Sequence, residues 1–372
     1  MDRRVGEWSG TYVYYIHSAA RGPEVQPGTW RQPHTGVSLT PYGTTGSQIS
    51  YSFKLQWAED NQSMRDILYN EGLFDVQIAG SMTVPKGESA MFSLHTKNSI
   101  DSISSEFPEQ TKLEYIGENG EDKHVYRVSF ARLGENKLTV CYNGKYTMPL
   151  EFFCCQPIDI LIKKRADFIT RNQCRDKSKW YYGLFHLWDM EQKVSRTPDN
   201  KGDYPSYFVN GGDDPGPANG VFLSQKNVVW PEKEEIEALD RYLNNFVWGG
   251  IQRTDNEEPY PGAIYGSGEK EGWIYQRELE LEDISRLWRS YDYTHYFFMY
   301  YNMYLISKKN ENLTELKAKD YLHRAWITAM AFYNTTRIFP DGQWGEYKYI
   351  YWAYFVSHHH EFILPEIIEA LE

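Results

Sequence analysis

Cysteine is scarce in this chain and is not spaced for chemistry. Four Cys occur in 372 residues (Cys141, Cys154, Cys155, Cys174), with no CxxC or Cys/His spacing, which argues against a zinc site. No metal ion and no cofactor is expected. Adjacent Cys154 and Cys155 point to opposite faces of a strand, which makes them a poor disulfide pair. Long apolar runs are missing as well, so no membrane span is expected. Met1-Asp2-Arg3-Arg4 is followed by polar residues and reads without a secretory leader. Positive charge is also in short supply. Lys and Arg number 39 against 51 Asp and Glu, a formal charge of −12. Nucleic-acid binding requires clustered Lys and Arg, so no nucleic-acid partner is expected. A long polyanion is disfavoured too, unless one basic groove overrides the net charge.

Aromatic residues, by contrast, are abundant: 12 Trp, 30 Tyr and 18 Phe make up 16% of the chain. Large cores are one explanation, because aromatics carry the largest apolar payload. Sugar binding is the other, since a flat ring covers the C–H face of a pyranose while its polar edge meets water. Position along the chain separates the two.

The N-terminal half reads as β-structure. Ile49, Tyr51, Phe53 and Leu55 alternate with Ser50, Ser52 and Lys54, the period of a half-buried strand. Residues 60–70 read as one short helix. Strands are then expected at Leu73–Ile78, Ser81–Val84, Ala90–Leu94, Lys112–Ile116, His124–Phe130, Asn136–Tyr142 and Tyr146–Phe153. Asn143-Gly144 between two of them is a strong hairpin signal. The expected organisation is a β-rich region over 1–86, reading as the end of a larger β-sandwich, and a small immunoglobulin-like β-sandwich over 87–156. From Gln156-Pro157 the period becomes helical, with Ile158, Leu161, Ile162, Arg165, Phe168 and Ile169 on one face. Further helices are expected from Trp230-Pro231, over Leu279–Lys308 and Thr314–Thr335, and from Pro365. Long Gly/Pro/Trp loops are expected at 176–230, 248–278 and 337–350, where function tends to sit.

Four stretches carry a resemblance: Tyr51-Ser52-Phe53 to Trp57 with Gly72-Leu73-Phe74-Asp75-Val76; Arg165-Ala166-Asp167-Phe168-Ile169; Gly211-Gly212-Asp213-Asp214-Pro215-Gly216; and Arg289-Ser290-Tyr291-Asp292-Tyr293-Thr294-His295-Tyr296. Together with the order of elements, they resemble the six-hairpin glycosidases and a bacterial family catalogued as a domain of unknown function. The resemblance implies a β-sandwich region followed by an (α/α) toroid over 157–372, with a carbohydrate substrate in the central mouth. Fewer helices are readable than a closed toroid needs. The chain is therefore expected to be a segment of a longer, periplasmic or extracellular protein, with an incomplete ring.

Glycoside hydrolysis needs one carboxylic acid and one carboxylate acting as base or nucleophile. The candidates are Asp213 and Asp214 between glycines, Asp292 three residues before His295, and Glu346 beside Trp344 in a Gly-rich loop. Each has a bland alternative: a turn or cap for Asp213 and Asp214, a polar pair between helices for Asp292 and His295, and a surface salt bridge for Glu346. Trp188, Asp189, Trp230, Tyr293, His295 and Trp344 are the candidate substrate contacts. The expectation is that these groups converge on one aromatic-walled cleft. The runs Glu232–Glu237 and Glu278–Asp283 read as solvated helix faces, and His358-His359-His360 as helix-end packing. A polysaccharide lyase, with Tyr293 or His295 as base and Arg289 neutralising a uronate, is the alternative chemistry. A non-catalytic glycan-binding segment is the third reading.

Overall fold

The computed structural model describes residues 54–204, 206–209, 215–258, 260–265, 290–336 and 360–372. It divides the chain into two units, Met1–Leu161 and Ile162–Glu372, so the protein is a β plus α multidomain chain. The Ile49–Phe53 part of the expected first strand lies outside the described residues.

The first unit opens with helix α1 (Asn61–Asn70). Asp60 caps it: its carboxylate accepts the Ser63 N–H at 2.7 Å, and the Ser63 hydroxyl accepts the Asp60 N–H at 2.9 Å. Eight strands follow: β1 (Asp75–Ala79), β2 (Thr83–Pro85), β3 (Ala90–His95), β4 (Ile100–Ser105), β5 (Thr111–Glu118), β6 (Lys123–Phe130), β7 (Gly134–Tyr142) and β8 (Tyr146–Cys155). They form two four-stranded sheets, in the orders β1-β3-β6-β5 and β2-β8-β7-β4. All pairings are antiparallel except β2 with β8, which is parallel. The strands on either side of residue 86 thus share both sheets, and no division falls there.

Alternation builds the core of this unit. Phe92 and Leu94 of β3, Val128 and Phe130 of β6, Leu138 and Val140 of β7, and Leu150, Phe152 and Cys154 of β8 form one buried cluster. Cys154 faces this cluster and Cys155 turns away, and all four cysteines are free thiols. At the β7–β8 hairpin, Asn143 and Gly144 take φ of +51° and +71°, as a type I′ turn requires. Asp101 accepts the Gly144 N–H at 2.6 Å. Strand β4 was not expected; it is a polar edge strand with only Ile100 and Ile103 turned towards the core, so it carries little hydrophobic signal.

The boundary between the units falls inside helix α2 (Ile158–Arg171). The second unit continues with a β9–β10 hairpin (Leu187–Asp189, Val194–Arg196), the short α3 (Ser206–Val209), α4 (Pro215–Val229) and α5 (Lys233–Arg241), which runs into a π-helical segment at Tyr242–Val247. After these come α6 (Ser290–Lys309), α7 (Ala318–Thr336) and α8 (Leu364–Leu371). Helix α4 corrects the expectation of a loop over 176–230. Its Pro215, Gly216, Pro217 and Gly220 mimic loop sequence, yet Pro fits a first helical turn. Gly220 also lets two side chains approach: a Cβ there would lie 2.6 Å from Met299 Sδ and 3.0 Å from the Tyr242 ring. Residues 279–289 of the expected third helix lie outside the described residues.

Side-chain pairings fix the helix directions. Asn302 donates to Ser224 at 3.1 Å and Met299 faces Gly220, so α4 and α6 run the same way. Lys226 meets Glu235 and Phe297 meets Phe332, so α5 and α7 run back. Helix α6 is buried from Asp292 to Tyr304 with no polar face, and its aromatic side chains fill the core that α4, α5, α7 and α8 share. Most of the aromatic excess described in this unit is therefore core.

Candidate functional site

The first two turns of α6 carry Asp292, Tyr293, His295 and Tyr296. Asp292 and Tyr293 are 1% and 0% exposed, while His295 retains 8%. The Tyr293 hydroxyl accepts the Ile264 N–H at 3.0 Å, which ties the helix to the 248–265 loop. Below it, burial first, and then the neighbouring Tyr242 and Asp292, push the Tyr296 phenol well above its ordinary range. The His295 ring lies 5.3 Å from that of His360, edge to face, and His360 stacks on Phe298 at 4.3 Å. His360 has φ +61° and opens the turn Glu361–Ile363 before α8, so of the three-histidine run this member packs against aromatics at a helix start. His358 and His359 lie outside the described residues.

Asp213, Asp214, Glu346 and Trp344 also lie outside the described residues. Helix α4, which follows Asp213 and Asp214, begins at the same end of the unit as Asp292 and His295, because α4 and α6 run in one direction. The remaining candidates are engaged elsewhere. Asp189 is fully occupied by its own hairpin: one oxygen accepts the N–H groups of Glu191 and Gln192 at 3.0 and 2.9 Å, and the other accepts Arg196 Nε and Nη2 at 3.0 and 2.7 Å. Those bonds hold its carboxyl below the usual carboxylate range, the Gln192 N–H contributing most. Trp188 packs edge-on against Phe168 at 5.1 Å. Trp230 follows the end of α4, with Lys226 Nζ 5.1 Å over its ring. The structure thus brings Asp292, Tyr293 and His295 together and gives Trp188, Asp189 and Trp230 local partners of their own.

Several buried polar residues were not anticipated. Glu235 belongs to a run expected to be solvated, yet it is 4% exposed and accepts from Lys226 and Asn227, both at 2.8 Å. Gln252 is completely buried; it accepts from Tyr300 at 2.9 Å and donates to Thr328 and to the Gly262 carbonyl at 2.7 and 3.0 Å. Arg253, 2% exposed, donates to the carbonyls of Glu257 and Glu258 and to the Tyr265 hydroxyl. These two residues shape the loop whose Ile264 meets Tyr293. A polar pair inside a Gly-rich loop beside Trp248 was the only available signal. Among the described residues no His/Cys/Asp/Glu group could hold a metal ion, and no helix is long and apolar enough to cross a membrane.

A family model described as a family of unknown function (DUF5695) matches residues 3–351. The chain belongs to that family. No curated protein matches it. Among solved structures, the polysaccharide lyase BACCELL_00875 matches with a TM-score of 0.53 and 17% identity, over 74% of this chain and 36% of the lyase. This DUF5695 chain therefore shares a fold with part of that lyase and spans about a third of its length. Domains 4 and 5 of the S-layer protein SbsC match with a TM-score of 0.18 and 14% identity, over 22% of this chain and 52% of that one. That likeness is too low to inform the fold.

Proposed function

We propose that this chain is part of a periplasmic or extracellular enzyme that cleaves a polysaccharide, and that the cleavage is a β-elimination. The fold shared with a polysaccharide lyase over 74% of the chain carries this reading. The two-sheet unit supports an immunoglobulin-like β-sandwich. The helices of alternating direction after it support an (α/α) arrangement, with the substrate mouth at the end where α4 and α6 begin.

At that end stands His295, 8% exposed with both ring nitrogens buried, so in this reading the substrate reaches it by displacing the side chains that cover them. In an elimination, a base removes the proton on the carbon next to the uronate carboxyl. The C–H electrons form the new double bond, the glycosidic C–O bond breaks, and the departing oxygen takes a proton; no water is consumed. In this reading His295 acts as the base and Tyr293 as the acid, and Arg289, which lies outside the described residues, is the cation proposed for the uronate. The hydrolytic alternative rests on Asp213, Asp214, Asp292 and Glu346, two of which would have to face a sugar from opposite sides. Asp292, the described member, is 1% exposed, as closed off as Tyr293 at 0%, so burial alone does not separate the two chemistries.

One assay distinguishes the two. The full-length protein is incubated with uronate-containing and neutral polysaccharides, and ultraviolet absorbance of unsaturated ends is followed alongside total reducing ends. Elimination raises both on the uronate polymers; reducing ends without absorbance would establish hydrolysis instead. His295→Gln should lower turnover by about two orders of magnitude or more, the scale of general acid–base catalysis, with the fold retained.

A further inference from the structure

An Asn-Gly step lets a chain modify itself. The Gly nitrogen can attack the Asn side-chain carbonyl, because no Cβ stands in the way. Four such steps occur: Asn119-Gly120, Asn143-Gly144, Asn210-Gly211 and Asn219-Gly220. Asn210 and Gly211 lie outside the described residues. The other three are alike as dipeptides and differ in their surroundings.

Two of them are locked. In the β7–β8 hairpin, Asn143 Oδ1 accepts the Ser99 N–H at 3.0 Å, and its Nδ2 donates to Asn98 Oδ1 at 2.7 Å. The nucleophile beside it is held as well, since the Gly144 N–H donates to the Asp101 carboxylate at 2.6 Å. Asn219 lies within α4 and its Oδ1 accepts from Arg165 Nη2 at 3.0 Å. Inside a helix the next N–H is bonded to the carbonyl four residues back, which keeps the Gly220 nitrogen from turning onto Asn219.

Asn119 is open. It is exposed, in the turn that joins β5 to β6. Its backbone N–H closes that turn onto the Lys123 carbonyl at 2.9 Å. Among the described residues, however, its side chain has no hydrogen-bond partner and the Gly120 N–H has no acceptor. A Cβ placed on Gly120 would meet nothing within 4 Å, so the space around the attacking nitrogen is clear. The Asn119 carbonyl can therefore reach that nitrogen without breaking a side-chain contact, whereas Asn143 and Asn219 must first let go of theirs.

We propose that Asn119 is a self-modification site, converted to aspartyl and isoaspartyl forms in the folded protein while Asn143 and Asn219 stay intact. The Gly120 nitrogen adds to the Asn119 side-chain carbonyl carbon and a new C–N bond forms. The bond to Nδ2 breaks, and ammonia departs with the proton that Gly120 gives up. Water then opens the cyclic imide at one carbonyl or the other. One opening gives aspartate; the other gives an isoaspartyl link that lengthens the main chain by a methylene. Either product adds one negative charge to the formal −12, in a turn that already carries Glu118, Glu121 and Asp122.

The test is to age the full chain in mildly alkaline buffer, folded and, in parallel, unfolded in urea. Peptides spanning the three sites are then quantified by chromatography and mass spectrometry, with the aspartyl and isoaspartyl forms separated. In the folded protein Asn119 should convert at least about tenfold faster than Asn143 or Asn219, because each of those steps is held by a hydrogen bond to a charged group. In urea the three rates should converge. Folded-state conversion at Asn119 no faster than at Asn143 or Asn219 would overturn the proposal, and so would a lead for Asn119 that is equally large in urea. The readout involves no substrate, so it stands or falls apart from the function proposed above.

Discussion

Asp240 makes stability depend on pH in a way that can be measured. Its carboxyl is 4% exposed, and burial pushes it up from 3.8 to about 6, against hydrogen bonds from Tyr321, the Glu315 N–H and Asn244 that pull the other way. A carboxyl with a raised folded-state value binds its proton more tightly when folded. Its stabilising contribution is complete below pH 3.8 and is lost as pH rises through about 6. At about 1.36 kcal/mol per pH unit, the loss across that window is about 3 kcal/mol. Asp240→Asn cannot ionise, so its cost of lost acceptor capacity is the same at every pH. Urea unfolding, followed by hydrogen exchange in the 233–247 segment at a series of pH values, reads the difference between wild type and variant. That difference should change by about 3 kcal/mol between pH 3 and pH 7, the wild type losing ground as pH rises. Parallel pH profiles, or a loss already complete by pH 5, would refute the reasoning.

Two further outcomes follow from the packing. Glu235→Gln leaves the Lys226 ammonium buried beside a neutral partner and should cost about 3–5 kcal/mol in urea unfolding, whereas replacing both residues with Met and Leu should be close to neutral; a cost under 1 kcal/mol for the single change would sink this. Gly250→Ala would place a Cβ 2.0 Å from the Phe246 carbonyl oxygen, backbone that cannot swing aside, and should cost about 3 kcal/mol or more. Gly249→Ala meets only the Thr254 methyl at 3.6 Å and carries the strain of φ +76° alone, about 1–2 kcal/mol.

Local patterns gave the β unit away, because alternation and an Asn-Gly turn are properties of neighbouring residues. β4 stayed hidden because an edge strand needs few apolar residues, and α4 because its glycines and prolines serve packing and a first turn, not a loop. In the helical unit, Asp292 and His295 could be placed on one face by their spacing of three. The buried role of Glu235 could not be read, since Glu234 and Glu237 beside it are exposed and chemically alike. What distinguishes Glu235 is Lys226 on another helix. Asp240 is harder still: its phenol partner, Tyr321, is 81 positions away. For Trp188, Asp189 and Trp230 the sequence could not show their local partners, because a Trp beside a carboxylate or a proline looks the same whether it awaits a sugar or closes a hairpin.

The parallel pairing of β2 with β8 sets an order of events during synthesis. Thr83 pairs with Phe153 across about 70 positions, and closing a loop of that size must precede the contacts that reward it. β2 has no other sheet neighbour, and β7 has β8 as one of its two. A nascent chain that has reached only residue 145 therefore holds Leu138 and Val140 with half of their cover missing. The sheet completes when Tyr146–Cys155 leaves the ribosome, just before α2 does. Translation pauses while Tyr146–Cys155 is still inside the ribosome would lengthen exposure of that apolar face, while pauses after it has emerged would fall on a β unit already closed.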